Sequence, residues 1–492
     1  MNRAYGPPLG FQYASDIADA MSDAENSQGT AMPRADKMHL GVFYWPGGHH
    51  VAGWRHPAAE TDSPFNYRRC VELAQLAERG KFDLFFLADL VGIRPSKIEA
   101  QANASRAVYF EPLTLLAALS TATDRVGLVA TATTTYNEPY HLARKFASLD
   151  LINDGRTGWN LVTSHNQAEA ANFNRDTHMA HADRYERAEE FVEIVKGLWD
   201  SWDDGAIVMD KESGRYFDHN GLHFLNHRGK HFLVRGPLNV PRSPQGHPVI
   251  VQAGSSGPGR ELAARTAEVI FTAAETLKDG QAFYADVKQR MQKYGRAPNE
   301  VAIMPGLFPV IGNTEAEARA KYDYLQTLVQ PDVGLFLLEH LLGRDLSMYA
   351  LDEPLPDLPE HDGAKGRTEV ILRQARRDNL TLRQLYLQVA VARGHNIVIG
   401  TPARIADVME EWFEGHAADG FNVLPPVFPT GLEEFVELVV PELQRRGLFR
   451  TEYEGKTLRQ HLGLPYPKSR HTTAAADSVS LAAAEDAEVD AA

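Results

Sequence analysis

Several groups of residues carry types and spacings that could do chemistry. The run Pro248–Arg260, PVIVQAGSSGPGR, sets a short apolar, β-branched segment ahead of Ser255, Ser256 and three glycines, and a helical pattern follows from Arg260. A strand that breaks into a Gly/Ser turn at a helix N-terminus is an anion cradle. Backbone N–H groups face the ligand, serine hydroxyls add donors, and glycine lets the backbone come close. The spacing matches neither G-x-G-x-x-G nor G-x-x-x-x-G-K-[ST], so it points to one phosphate rather than to a dinucleotide or nucleoside triphosphate. His181 and Tyr185, in HADRY, lie four apart on one face at the start of a helical run, where imidazole and phenol donors could meet an anion. The loop GGHHVAGWRHP concentrates His49, His50, Arg55 and His56. Imidazoles suit proton transfer near neutral pH, and cations suit anchoring a charged substrate. No carboxylate stands at a ligand-like spacing there, so no metal site is expected. Asp89, Thr131 and Ser164 each fall at the end of an apolar segment. Taken singly, all of these are equally ordinary caps, turns or solvated side chains; their convergence is what suggests a site.

Convergence requires a scaffold that brings strand ends together. Apolar strand patterns recur at Met38–Trp45, Phe82–Ala88, Val126–Thr131, Gly158–Thr163, Pro248–Gln252, Glu268–Thr272, Val301–Val310 and Gly420–Leu424. Helical patterns separate most of them: one capped by Ser63 with Pro64 at its first position and stopped by Gly80, others at 112–123, 139–153 and 183–202. Eight strands alternating with helices predict a (β/α)8 (TIM) barrel of the α/β class, whose ligands sit at the carboxyl ends of the strands. Insertions are expected at about 203–247, before strand five, and at about 325–395, between strands seven and eight. The second contains helical pieces near 314–328 and 367–393 and reads as a cover over the barrel mouth. The barrel domain is expected over 38–467. Residues 1–37 and 468–492 are expected to be an extended segment and a disordered acidic tail. From residue 471 on there are five carboxylates and no Lys or Arg.

The 492 residues carry a formal net charge of −15, which argues against a nucleic-acid partner. A single cysteine, Cys70, excludes an internal disulfide and fits a reducing compartment, so a cytoplasmic protein is expected. Cys70 sits in a helical run, as an inert core thiol would. No stretch is apolar enough to span a membrane.

The segments GKFDLFFLAD, TATTTYNEPYHLARKFASLD, GRTGWNLVTS, HADRYERAEEF, KGLWDSWDDGA, GPLNVPRSPQGHPVIVQAGSSGPGRELAARTAEVIFTA and DGFNVLPP resemble the bacterial-luciferase-like flavin monooxygenases. The resemblance runs from about Met38 to Pro467. It is to the branch holding nitrilotriacetate monooxygenase component A and the dibenzothiophene-sulfone, long-chain-alkane and pristinamycin enzymes. It implies a two-component system in which a separate NAD(P)H:FMN reductase supplies reduced FMN, and this chain reacts it with O2 to a C4a-hydroperoxyflavin that oxygenates a small substrate. The absence of a dinucleotide fingerprint agrees with an NAD(P)H site on another chain. Family flavin positions fall on Asp89, Thr131, His181, Tyr185 and Ser256, with Ser164 and Ser255 as neighbours. The active-site histidine falls on His50, with His49 one residue away. The implied substrate is an aminopolycarboxylate such as nitrilotriacetate, whose C–N bond is split oxidatively, with Arg55, His56 and Arg106 as cations to hold it. A homodimer or homotetramer is implied too. Competing readings are a sulfone or other xenobiotic substrate, an F420-dependent oxidoreductase of the same fold, and a non-catalytic flavin-binding partner.

Overall fold

The computed structural model describes residues 34–471 apart from 61, 165, 356–371, 373 and 374, so most of both expected terminal segments lies outside the described residues, as does His165. Nine strands form one sheet: β1 (His39–Tyr44), β2 (Leu84–Leu87), β3 (Gly127–Thr133), β4 (Thr157–Val162), β5 (Val249–Gln252), β6 (Val269–Thr272), β7 (Ala302–Ile311), β8 (Asn396–Gly400) and β9 (Gly420–Val423). All but β8 close into a ring in which every pairing is parallel, running from β1 through β7 to β9 and back to β1. This is the expected (β/α)8 barrel. Alternation along each strand divides its side chains. Leu40, Val42, Phe85, Leu87, Leu128 and Ala130 face the surrounding helices, while Leu84, Phe86, Val129, Val251, Val269 and Met304 fill the interior.

The sequence predicts only helical pieces between strands seven and eight; the structure adds a helix, Pro331–Leu342, and the strand β8. Leu307 pairs with Val423 of β9 and also with Asn396 of β8, so these strands flank it on opposite sides. β8 therefore continues along the edge of β7 beyond Pro305, where β6 stops. The strand exists because β7 runs ten residues, longer than the ring requires, and leaves an unpaired edge. The helix expected from Ser63 starts instead at Tyr67. Asp62–Asn66 closes a turn, and the Asn66 side chain accepts the Arg69 N–H at 3.1 Å, so Asn66 is the cap.

The amino end of the barrel is plugged from the C-terminal segment. Leu458, Leu462 and Leu464 join the interior cluster, and a Cβ on Gly127 would stand 2.4 Å from Leu458 Cδ1, so that position needs glycine. Beside the plug, Arg459 is buried with an acceptor for every guanidinium nitrogen: both Glu268 oxygens and the carbonyls of Gln245, His247 and Pro465. Burial works against the Glu268 carboxylate, but the Arg459 charge outweighs it and holds the group below its usual range. Packing continues past residue 467, since Ser469 is buried and Arg470 Nε lies 3.3 Å from Asp200. Among the described residues no helix is long and apolar enough to cross a membrane. Arg459→Ala leaves Glu268 buried and uncompensated, and should lower the unfolding free energy by about 3–5 kcal/mol in urea denaturation. Ligand binding at the opposite end of the barrel should be unchanged.

Candidate active site

The carboxyl ends of β2 to β5 surround a cleft. Asp89, Leu90, Thr131, Thr133, Ser164, Glu169, Tyr185, Gln252, Gly254 and Gly259 are among its lining residues. Its cavity volume is about 230 Å3, and it opens to solvent. Each polar group is there for a local reason. Thr131 and Thr133 project inward near the end of β3. Thr131 Oγ1 donates to the Leu87 carbonyl at 2.8 Å and accepts from Asn160 Nδ2 at 2.8 Å. Ser164 adopts positive φ just past β4, and its Oγ donates to Thr133 Oγ1 at 2.9 Å. Asn160 Oδ1 is left buried without a partner, a polar atom that a ligand N–H would satisfy.

At the outer end of the cleft the helix Gly257–Thr266 begins. Ser256 is its N-cap, with Oγ accepting from the Gly259 N–H at 3.2 Å, and Tyr185 Oη lies 3.3 Å from the same Oγ. Tyr185 projects from the second turn of the helix His181–Trp199, and the His181 ring packs against it at 4.9 Å. A Cβ on Gly259 would sit 3.0 Å from both Ser256 Oγ and Tyr185 Oη, so the glycine keeps the cradle open. A helix N-terminus, two hydroxyls and a bare backbone are a donor set suited to a phosphate. Polar cleft and cradle together fit a flavin nucleotide.

Asp89, Thr131, Ser164 and Tyr185 thus line the cleft and Ser256 joins them at its edge. His181 and Ser255 lie exposed at the rim, the Ser255 carbonyl accepting from Arg260 Nε at 3.0 Å. Thr133, Asn160, Glu169 and Gln252 are lining or neighbouring groups that the sequence did not single out. Asn160 had a signal, an amide in the middle of an otherwise apolar strand, GWNLVT.

His49 and His50 follow β1, the neighbour of β2 in the ring, and are not among the residues lining the cleft. Their loop is tied to the residues after β9: His49 N–H donates to the Pro425 carbonyl at 2.9 Å and His50 N–H to that of Pro426 at 3.2 Å. Both side chains are buried, but differently. His50 Nδ1 accepts from Ala52 N–H and its Nε2 lies 3.4 Å from Gln326 Oε1, on the helix Glu315–Thr327. Burial pushes its pKa down to about 4. His49 packs edge-on to Phe43, an inward residue of β1, at 4.4 Å, and its Nε2 is buried with no partner. Burial, then the charges of Arg106, Arg393 and His395, hold its pKa well below the usual value. Of the expected substrate cations, only Arg106 joins this group, with Nη2 donating to the His49 carbonyl at 2.6 Å. Arg55 bonds the Leu328 carbonyl, and His56 packs on Tyr324.

A closed parallel (β/α)8 barrel with a polar cleft at the carboxyl ends of its strands is the arrangement of an enzyme. The chain belongs to the luciferase-like monooxygenase family, whose model matches residues 48–419. It is 55% identical over 442 residues to nitrilotriacetate monooxygenase component A of Aminobacter aminovorans, covering 88% of this chain and 98% of that protein. It is 53% identical over 438 residues to N-acetyl-S-(2-succino)cysteine monooxygenase of Bacillus subtilis (strain 168), covering 88% and 98%. Among solved structures it superposes on a riboflavin lyase holding a modified FMN and riboflavin, with a TM-score of 0.76, 31% identity, and coverage of 88% and 97%.

Asp89 sits where burial, then the Glu111 charge, raises its pKa from 3.8 to about 7. A carboxyl whose folded pKa is raised contributes stability that is full below its unfolded pKa and is lost as pH rises toward the folded one. Asp89→Asn should therefore melt higher than wild type in the ligand-free protein. The gap should widen from pH 5 to pH 7 and level off above it, as followed by calorimetry.

Proposed function

We propose that this chain is the oxygenase component of a two-component monooxygenase. It takes reduced FMN from a separate NAD(P)H:FMN reductase and uses O2 to oxidise a small organic substrate. The expected substrate class is the aminopolycarboxylates, with oxidative C–N cleavage. The observation that carries the reading is the continuity of the cleft from the barrel mouth to the Ser256–Tyr185 cradle. The relatives named above, both monooxygenases and one a component A, support it and favour it over F420-dependent hydride transfer. A phosphate would be held by Ser256, Tyr185 and the first N–H groups of the helix Gly257–Thr266. The ring edge would meet Asp89, Thr131 and the unpartnered Asn160 Oδ1. Bound reduced FMN would supply the electrons that activate oxygen. The protein's part is to position, to exclude water and to move protons.

His49 is the better placed of the two histidines for proton transfer. Its ring is bonded to the Phe43 backbone, its Nε2 is buried with no partner, and its low pKa keeps that nitrogen neutral at pH 7, so it would be open to take a proton from a substrate amine. His50 has a contact at each ring nitrogen and serves to pin the loop to the helix Glu315–Thr327.

Two measurements test this. Ser256→Ala and Tyr185→Phe should each weaken anaerobic binding of reduced FMN by roughly 10-fold or more, since a hydrogen bond to a charged group is worth about 1.5–3 kcal/mol. Wild-type affinity in both would remove the phosphate assignment. In a reductase-coupled assay with nitrilotriacetate, His49→Ala should still consume O2 but release hydrogen peroxide, losing on the order of 100-fold or more in product. His50→Ala should lose stability more than coupling; the opposite pattern would move the proton-handling role to His50.

A further inference from the structure

On the β1 side of the barrel, Arg106, Arg393 and His395 gather around His49, and each of the three works against a charge on the His49 ring. Arg106 lies on the segment between β2 and the helix Pro112–Leu119, its guanidinium 4.7 Å from the Trp45 ring centroid. Its Nη2 is used by the His49 carbonyl, whereas Nε and Nη1 are screened from solvent and have no acceptor. The neighbouring Ser105 Oγ and His49 Nε2 are buried and unpartnered as well. Burial, then the charge of Arg393, disfavours the ionised form of Arg106. His395 completes the ring of groups: it stacks on Phe271 at 5.0 Å, and Phe271 meets Phe43 at 5.5 Å, the residue on which His49 rests.

Arg156 and Arg459, two of the buried arginines, are built differently. Every guanidinium nitrogen of Arg156 and of Arg459 has an acceptor, from carbonyls, a hydroxyl or Glu268. A buried guanidinium with open donors costs stability unless something else completes it. An anion would complete Arg106, and the cleft at the ends of β2 to β5 lies within one residue's reach of it. Tyr109 joins the two: its ring lies 5.2 Å from Trp45, and its hydroxyl accepts from Leu90 N–H at 2.8 Å in the cleft wall.

We propose that Arg106, with Ser105 Oγ beside it and Arg393 and His395 flanking, is a carboxylate-binding subsite that holds one acid group of the substrate and presents the rest of the molecule to His49 Nε2. The subsite deepens the monooxygenase reading and rests on it for calling the ligand a substrate. It selects a small organic anion whose carboxylate is withdrawn from water, and it rejects neutral sulfones and alkanes, which would leave Arg106 uncompensated. The phenylalanine floor of Phe43, Phe86 and Phe271 gives the apolar remainder of such a molecule a surface to lie on.

The test is a binding measurement that needs no turnover. Metal-free full-length protein is titrated calorimetrically with nitrilotriacetate, iminodiacetate and succinate, and with the trimethyl ester of nitrilotriacetate, in wild type, Arg106→Gln, Arg106→Lys and Arg106→Met. At least one acid should bind wild type, and the ester should bind at least about 10-fold more weakly. Arg106→Gln should lose roughly 10- to 100-fold in affinity for the acid, and Arg106→Lys should recover part of it. Affinity for reduced FMN should be unchanged in all three variants. Without ligand, Arg106→Met should melt no lower than wild type, because an uncompensated buried cation has been removed; a residue with a purely structural role would destabilise on removal. The proposal is overturned if none of the three acids binds wild type, or if Arg106→Gln binds the acid as wild type does. It is also overturned if the variants lose reduced FMN instead, which would assign the cations to the cofactor's charge. Oxygen consumption with reduced FMN, followed separately, tests the monooxygenase reading. If that fails while acid binding and its Arg106 dependence hold, the subsite stands and the function does not.

Discussion

The seam where β1 meets β9 is the constraint on which the rest depends. A parallel ring has no free edge only if the first strand finds the last, and here four residue pairs do it, from His39–Gly420 to Val42–Val423. The approach is close enough that a Cβ on Gly420 would stand 2.1 Å from the His39 carbonyl oxygen. The same closeness persists past the strand ends, where a Cβ on Gly48, at φ +107°, would fall 2.2 Å from the Pro426 carbonyl oxygen. Glycine at these points lets the His49–His50 loop be stitched by backbone hydrogen bonds to Pro425 and Pro426. Ring closure thus fixes the position of the proposed proton-transfer group.

Two groups of titratable residues lie near the carboxyl end of the barrel. Burial and then the charges of Glu111 and Glu169 raise the pKa of Asp89, and burial raises that of Glu169 against the pull of Arg94 and Arg184. Beside β1, burial and then Arg106, Arg393 and His395 lower the pKa of His49, and burial and then Arg393 lower that of Arg106. Trp45 and Tyr109 stand between the two zones. A molecule placed across the mouth would feel hydrogen-bonding carboxyl groups at one end and cations at the other, a field suited to orienting a ligand with one anionic end.

Most of the ring was legible in the sequence because strands buried on both faces read as continuous apolar runs bounded by Gly, Asp or Asn. Runs such as FDLFFLAD and PVIVQAG place their polar terminal residues where a barrel must gather them. That is why position along the chain is enough to put Asp89, Thr131 and Ser164 in the wall of the cleft. What was not legible depends on partners distant in the chain. β8 needs the surplus length of β7, and the Tyr67 helix start was decided by the Asp62 turn rather than by the nearest proline. Nothing local separates His49 from His50 either. Adjacent residues in a loop point in different directions, and which one reaches Phe43 and which one Gln326 is set by contacts more than 270 positions apart in the second case. Arg106 carried no motif, and its meaning rests on acceptors that are absent around it.

The insertion after β7 explains why these groups are dry. Helices Pro331–Leu342 and Leu382–Ala392 pack together, and Val51 and Ala52, the residues directly after His50, belong to the same apolar cluster. Val51 N–H donates to the Ala390 carbonyl at 3.4 Å, and Asn103, three residues before Arg106, reaches Asp332 at 2.9 Å. The insertion is therefore seated on both segments that supply the cationic zone, pressing them between itself and the barrel seam. In water the donors of Arg106 would be solvated and unselective. Under this cover each open donor acts in a medium of low dielectric, where an unmet charge is costly and a matched one discriminates strongly. Variation in the insertion and in the segment around Ser105–Arg106 can then change what is oxidised, while the cradle on β5 and the ring beneath it stay as they are.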